Sequence, residues 1–435
     1  MKYLIIIAAV LAVCLLTASR CRRNPSPNET LPPDGVVEEV VPGVITEDDG
    51  ASDNPFRAIA QTAAQKEVSA RVLDFSLRFF SDMASRKEGD VMVSPFSLSM
   101  CLSMAGAGAN GDTYTQIAAA LGFKGLDAGQ VGEWYAYMAA ALTDADRSSS
   151  IAIANAIWAR EDLPLLPEYL RIATESYRSE ASNLDFRQPE ALRTVNGWIS
   201  ERTGGMIPEM LSVLNPATQL ILANAVYFKG SWREGKFRSR KMDFTDYRGN
   251  KDKRDFFYGK REMRCFANNY VSLCAVPYGN GAYEMLVALP SQTLGLDGLL
   301  KELNAGAWAD LRGEMEYREV EFAMPCFESR TTLESDELKA VLEGYGLTLP
   351  FSRFDADFSK MSSRPLYIDM ILQKTAIDVN EKGTEAAAAT VIGMLEATAI
   401  PDPEPPFRFI ADHPFVYAIL ERSTGTILFA GVKRL

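Results

Sequence analysis

The chain has 435 residues, 47% of them apolar and 23% charged, which is enough to bury a large core and excludes a disordered polymer. Its formal net charge of −12 and pI near 4.9 argue against nucleic acid as a partner, because phosphate neutralisation needs clustered Lys and Arg in excess. A single histidine, His413, leaves a Ser/His/Asp or Cys/His hydrolase with one candidate base. With no HExxH, CxxC pair or His cluster, neither a metal nor a cofactor is expected.

In chain order, Lys2, the apolar run Leu4 to Leu16 and the small residues Thr17, Ala18 and Ser19 predict a signal peptide over residues 1–20. About thirteen apolar residues are too few to span a bilayer comfortably, so the protein is expected to be exported: extracellular, periplasmic or anchored to a membrane. Cys21 stands where a bacterial lipoprotein signal carries its lipidated cysteine, although such sites favour a small preceding residue and here it is Arg20. Lipidation of Cys21, giving a membrane tether, and simple cleavage both remain open. Residues 21–60 are rich in Pro, Gly, Asp and Glu without a periodic apolar pattern, and read as a disordered tether ahead of a body at 61–435.

Val68, Val72, Phe75, Phe79 and Met83 recur at spacings of four and three, the face of an amphipathic helix. After the apolar run Val91 to Val93, Ser94 is a good N-cap and Pro95 fits the first turn of a helix whose small residues permit close packing. Gly106 to Gly111, GAGANG, matches GxGxxG but follows a helical run instead of a strand, so it reads as a helix end and loop. Ile151 to Ala159 and Gln219 to Phe228 read as strands, the second apolar enough to be covered on both faces; Pro189 to Leu211 reads as helical, interrupted at Gly204 and Gly205. The basic residues Arg248, Lys251, Lys253, Arg254, Lys260, Arg261 and Arg264, interleaved with acids, predict a solvated hairpin, with a docking patch for a protease or polyanion as the lesser reading. Strand-like segments follow at Ser272 to Pro277, Glu284 to Leu289, Val320 to Met324, Ala376 to Val379, His413 to Leu420 and Ile427 to Val432, and the mixture argues for an α+β fold. His413, at the start of one such strand, reads as structural. Cys101, Cys265, Cys274 and Cys326 are too spread for a disulfide framework; a Cys265 to Cys274 bridge and buried free thiols both stand.

Six blocks then appear in one order: VSPFSLSMCLSMAGAGANGDTYTQIAAALGF, VNGWISERTGGMIPEML, LANAVYFKGSWREGKF, MPCFESRTTLESDELKAVLEGYGL, VNEKGTEAAAAT, and ADHPFVYAIL with GTILFAGVKRL. With them the chain resembles the serpin family over roughly residues 66–435. The resemblance implies one domain of three β-sheets and about nine helices, with an exposed reactive loop near the C-terminus. It places Ser94, Pro95, Ser97 and Asn224 at the shutter, beneath which the central sheet parts, and Lys229, Gly230 and Trp232 at the breach, where the loop enters. Many serpins carry a shutter histidine eight residues before the hinge glutamate; here that position is Gln373, an amide able to replace part of that hydrogen bonding and so to retune opening.

The loop itself, Glu381 to Thr398, admits two local readings. Four consecutive alanines favour a surface helix from Glu385 to Ala397, while Gly383, Thr390, Val391, Ile392 and Gly393 oppose one. Period two decides between them: Thr384, Ala386, Ala388, Thr390, Ile392 and Met394 form a face without charge, and no Pro intervenes before Pro401. Such a segment can become a central strand, with Gly383 as a pivot. The resemblance implies a hinge formed by Glu381, Lys382, Gly383, Thr384, Glu385, Ala386, Ala387, Ala388, Ala389 and Thr390. The resemblance implies a suicide inhibitor without catalytic residues, acting as a monomer, whose partner is a serine protease trapped in a covalent complex as the cleaved loop inserts. The family's interval of seventeen residues from Glu381 puts the reactive bond between Ala397 and Thr398, suiting elastase-like or subtilisin-like targets. The Pro-rich stretch after it keeps Leu395 and Glu396 open as specificity residues. The rival readings are a non-inhibitory serpin, acting as carrier, storage protein or chaperone, and a secreted hydrolase.

Overall fold

The computed structural model describes residues 54–384 and 405–435. The leader, Cys21, the tether as far as residue 53, the hinge residues Glu385, Ala386, Ala387, Ala388, Ala389 and Thr390, and Leu395, Glu396, Ala397 and Thr398 lie outside the described residues. The body begins earlier than residue 61, because two apolar side chains in the expected tether, Phe56 and Ile59, lie against the core. The Ile59 N–H donates to Ser423 Oγ at 2.9 Å, and Asn280 Nδ2 donates to the Asn54 carbonyl at 3.1 Å.

The first helix, Ala63–Arg86, opens on a capping box in which the Thr62 hydroxyl accepts from the Gln65 N–H and the Gln65 side chain accepts from the Thr62 N–H. It buries Val68, Val72, Phe75, Phe79 and Met83, the stripe its spacing predicted. Helix Pro95–Ala107 is buried from Pro95 through Gly106, and its small residues let it lie between both sheets of the molecule. GAGANG is its end and the entry to helix Gly111–Ala120: a Cβ on Gly108 would stand 2.7 Å from the Met361 side chain and 2.8 Å from Tyr169, so the glycine serves packing. The third expected helix is shorter than Pro189 to Leu211. It ends at Arg202, and the Asn196 carboxamide folds the following segment back by accepting from the Met210 and Leu211 N–H groups at 2.8 and 2.9 Å.

Nine α-helices occur among the described residues, with one 3-10 turn at Leu349–Phe351. The strands there form two hydrogen-bonded sheets where the resemblance implies three. In the larger, of nine strands, the 17-residue strand Lys251–Ala267 pairs at its start with Arg238–Thr245 and at its end with Val271–Pro277, so two ladders are joined along one strand. The basic stretch is a hairpin here, and much of its charge is paired in solvent, as in Lys253 with Asp243 at 3.1 Å and Arg254 with Asp252 at 3.0 Å. Arg264 is different: it turns inward to the buried Glu284 at 2.7 Å.

The six-stranded sheet runs Phe327–Leu333, Met370–Asn380, Gly383–Thr384, Leu220–Ser231, Ser150–Arg160, Glu180–Leu184. One face rests on the main core. The other is covered by helix Pro189–Arg202, with Trp198 edge-on to Trp158 at 5.2 Å and Val195 and Ile199 over Ile221 and Ala223. Burial on both faces accounts for the apolar character of Leu220 to Phe228, in which Asn224 is the one strongly polar residue.

Candidate functional site

The site lies between strands Leu220–Ser231 and Met370–Asn380, which run parallel. They pair directly from Ile221 with Met370 to Val226 with Thr375, and that ladder stops there. Further along, the two-residue strand Gly383–Thr384 sits between them, antiparallel to both: Gly383 faces Ser231 and Asn380, and Thr384 faces Gly230 and Val379. The sheet is thus zipped at one end and already holds two hinge residues, Gly383 and Thr384, at the other. In the fork, residues 227–229 keep their ladder to Ser150–Arg160 and residues 376–378 keep theirs to Phe327–Leu333.

Close backbone approach dictates the residue at the top of the fork. Gly383 has φ of +145°, and a Cβ there would lie 2.1 Å from the Gly230 carbonyl oxygen. Thr384 is fully buried with its hydroxyl 2.7 Å from the Tyr278 hydroxyl, and burial pushes that phenol well above its ordinary pKa. The turn is held by Trp232, whose indole N–H donates to the Asn380 carbonyl at 2.9 Å and whose backbone N–H donates to the Lys382 carbonyl at 3.1 Å. The Glu381 carbonyl accepts from the Phe237 N–H at 2.7 Å, and the Lys382 N–H donates to Asn380 Oδ1 at 2.9 Å. Trp232 stacks on Tyr278 at 4.5 Å, forming an aromatic wall behind the hinge. Lys229 lies half-buried in the fork, in register with Ser150.

Beneath the zipped end is a buried polar cluster of Ser94, Ser97, Asn155, Asn224 and Gln373. The Gln373 amide clamps the Ser94 backbone at two points, accepting from its N–H at 2.9 Å and donating to its carbonyl at 2.9 Å, and also donates to Asn224 Oδ1 at 2.7 Å. Asn224 Nδ2 in turn donates to Asn155 Oδ1 at 2.6 Å and to the Ser97 hydroxyl. Ser94 occupies the N-cap position before Pro95, but its hydroxyl does not cap the helix; it donates to the Leu428 carbonyl at 2.6 Å, tying the helix start to the other sheet. Buried polar groups are costly unless paired, so this cluster fixes its two strands in one register.

The structure therefore brings Ser94, Ser97, Asn224 and Gln373 together, and separately Gly230, Trp232 and the hinge Glu381, Lys382, Gly383 and Thr384. Sequence reasoning missed Asn155 and Tyr278. A signal for the first existed: Ala-Asn-Ala stands in the middle of two apolar strands, and Asn155 and Asn224 face each other in register. Tyr278 carried no comparable mark, since it reaches Thr384 across 106 residues. His413 precedes strand Phe415–Glu421, with Nδ1 2.9 Å from Asp412 Oδ1 and Nε2 3.0 Å from the Pro290 carbonyl. Both nitrogens face acceptors, and the Asp412 bond raises the imidazole above its ordinary pKa, a setting that holds a proton instead of taking one from a nucleophile.

The model of the family described as serpin (serine protease inhibitor) matches residues 70–433. Serpin-Z2A of Triticum aestivum is 33% identical over 311 residues, 67% of this chain and 76% of that protein. The leukocyte elastase inhibitor of Bos taurus is 33% identical over 298 residues, 65% of this chain and 77% of that protein. The solved structure of tengpin, a thermophilic serpin in its native state, superposes with a TM-score of 0.78 at 26% identity, covering 90% of this chain and 99% of that one. The chain belongs to the serpin family, whose members are in general protease inhibitors that form complexes with target serine proteases.

Proposed function

We propose that this serpin is an exported, monomeric inhibitor that traps serine proteases by inserting its cleaved loop into the six-stranded sheet. The observation that carries the reading is the occupied fork: Gly383 and Thr384 already form a strand between two parallel partners, and continuing their register gives each following loop residue a place in the ladder. Continued to Leu220, that register accommodates residues 383–394 against the 12 residues of Leu220–Ser231, a strand of roughly 40 Å at about 3.3 Å per residue. Thr384 points inward, so Ala386, Ala388, Thr390, Ile392 and Met394 would follow it onto the buried side, and that face has no charge to desolvate. In the same register Thr390 arrives between Asn224 and Gln373, where its hydroxyl can replace the hydrogen bond that insertion must break.

In this mechanism the protease attacks the loop as substrate and forms its acyl-enzyme, after which insertion carries it across the molecule before water can deacylate it. The new backbone pairs and buried side chains supply the work, so the uncut fold is metastable. Residue 397, with Ala397 and Thr398 flanking the cut, suits elastase-like or subtilisin-like proteases, and the leader and Cys21 suit export with a lipid tether. Incubation with a pancreatic-type elastase tests the proposal. An inhibitor gives an adduct that survives SDS, with the acyl bond at the cut residue, and the nicked protein melts at higher temperature than the intact one. A clipped loop without adduct would indicate the non-inhibitory reading, and turnover of a peptide substrate by the serpin alone would indicate a hydrolase.

A further inference from the structure

We infer that Cys265 and Cys274 are a disulfide pair, closed when the chain folds in the presence of a small disulfide oxidant. Cys265 lies in strand Lys251–Ala267 and Cys274 in the antiparallel strand Val271–Pro277; they face each other in register, flanked by Arg264 with Ala275 and Phe266 with Leu273. Directly opposed residues of an antiparallel ladder have their side chains on one face and their Cα atoms about 4.5 or 5.5 Å apart, according to the pair type. Both spacings fall inside the roughly 4.4–6.8 Å that a disulfide spans. Neither of the other two body cysteines has such a partner: Cys101 is on helix Pro95–Ala107, and Cys326 lies between two strands.

The hairpin is also local. Asn268 organises its turn, with Oδ1 accepting from the Tyr270 and Val271 N–H groups at 2.8 and 2.9 Å, so the thiols meet early, without waiting for distant parts of the chain. In the structure both are free thiols and shut in, at 2% and 0% exposure, with Cys274 Sγ 4.0 Å from Met263 Sδ. Burial holds both thiols above their ordinary pKa, which places the exchange before the hairpin is covered. The Cys265 thiolate attacks the oxidant's S–S bond and releases one thiolate. Cys274 then attacks Cys265 Sγ of the mixed disulfide and releases the second, so the two protein thiols are oxidised, the oxidant is reduced to two thiols, and the two protons pass to them. The product suits its place, since a disulfide has no donor to satisfy in an apolar setting. The bridged hairpin belongs to the nine-stranded sheet and not to the six-stranded sheet that holds Gly383–Thr384.

The test refolds the full chain with a mixture of oxidised and reduced glutathione, then alkylates it in denaturant without reductant. No Lys or Arg lies between Cys265 and Lys301, so one tryptic peptide holds both cysteines. The expected peptide carries no alkyl group, is lighter than the dithiol form by two hydrogens, and yields two linked chains after chymotryptic cutting between the cysteines. Alkylation at both residues, or a bridge from either to Cys101 or Cys326, overturns the inference. A second measurement compares thermal midpoints: the oxidised protein should melt above the reduced one, and Cys265→Ser should abolish that difference. Equal midpoints for oxidised and reduced protein count against a brace at this hairpin.

Discussion

Where Gln373 faces Asn224, the two central strands are joined by side-chain amides and hydroxyls; where Asn380 faces Gly383, they are parted by a backbone strand wedged before an aromatic wall. The first region is a set of directional hydrogen bonds between buried side chains and the Ser94 backbone. The second is held by shape, with a glycine that admits no Cβ and a threonine sealed from solvent. Under the proposed mechanism, the sheet opens once and closes around a new strand, which needs both a latch whose partners can be replaced and an entry that is committed before cleavage.

The largest expected effect comes from Thr384→Arg at the entry. A guanidinium would have to occupy a fully buried position beside Tyr278, at a cost of several kcal/mol. The hinge should leave the sheet and the variant should be cleaved as a substrate; full yield of the SDS-stable adduct with elastase would show that the entry is not committed as described. Next comes Gln373→Ala at the latch. It strands the Ser94 N–H and Asn224 Oδ1 in a dry site, about 2–4 kcal/mol in all, while the Ser94 carbonyl keeps the Leu98 N–H. Conversion of the uncut protein to an inserted or polymeric form on mild heating should quicken by an order of magnitude or more, and an unchanged rate would place the latch elsewhere.

The smallest effect separates both regions from His413. Its raised pKa, due first to the Asp412 bond, means that its stabilisation is complete below the unfolded value of about 6.5 and is lost as pH rises through the folded value. With the imidazole one-third exposed, the loss is about 1 kcal/mol or less. Urea midpoints at pH 5.5 and 8.5 should differ slightly in the parent and not in His413→Gln, while adduct formation is the same in both proteins. A variant that lost inhibition would tie His413 to the site.

The periodic segments were legible before the structure. The stripe from Val68 to Met83 became a helix face, and the apolar run from Gln219 became a strand covered on both sides. The basic stretch was legible as a solvated hairpin, but the extent of its strands was not: Arg238–Thr245 and Lys251–Ala267 are polar along most of their length, and their strand state comes from pairing with each other and with Glu316–Pro325. Helix Pro189–Arg202 was overextended for a related reason, since it is stopped by Asn196 reaching segments fourteen and fifteen residues away.

By itself, the order of residues determined the family and the charge-free face that begins at Thr384, because periodicity is a local property. Only the tertiary structure decided that Thr384 is already in the sheet, that Gln373 clamps the Ser94 backbone, and that Cys265 faces Cys274. Each of those depends on strand register, and register is set by the simultaneous burial of many side chains that no single segment contains.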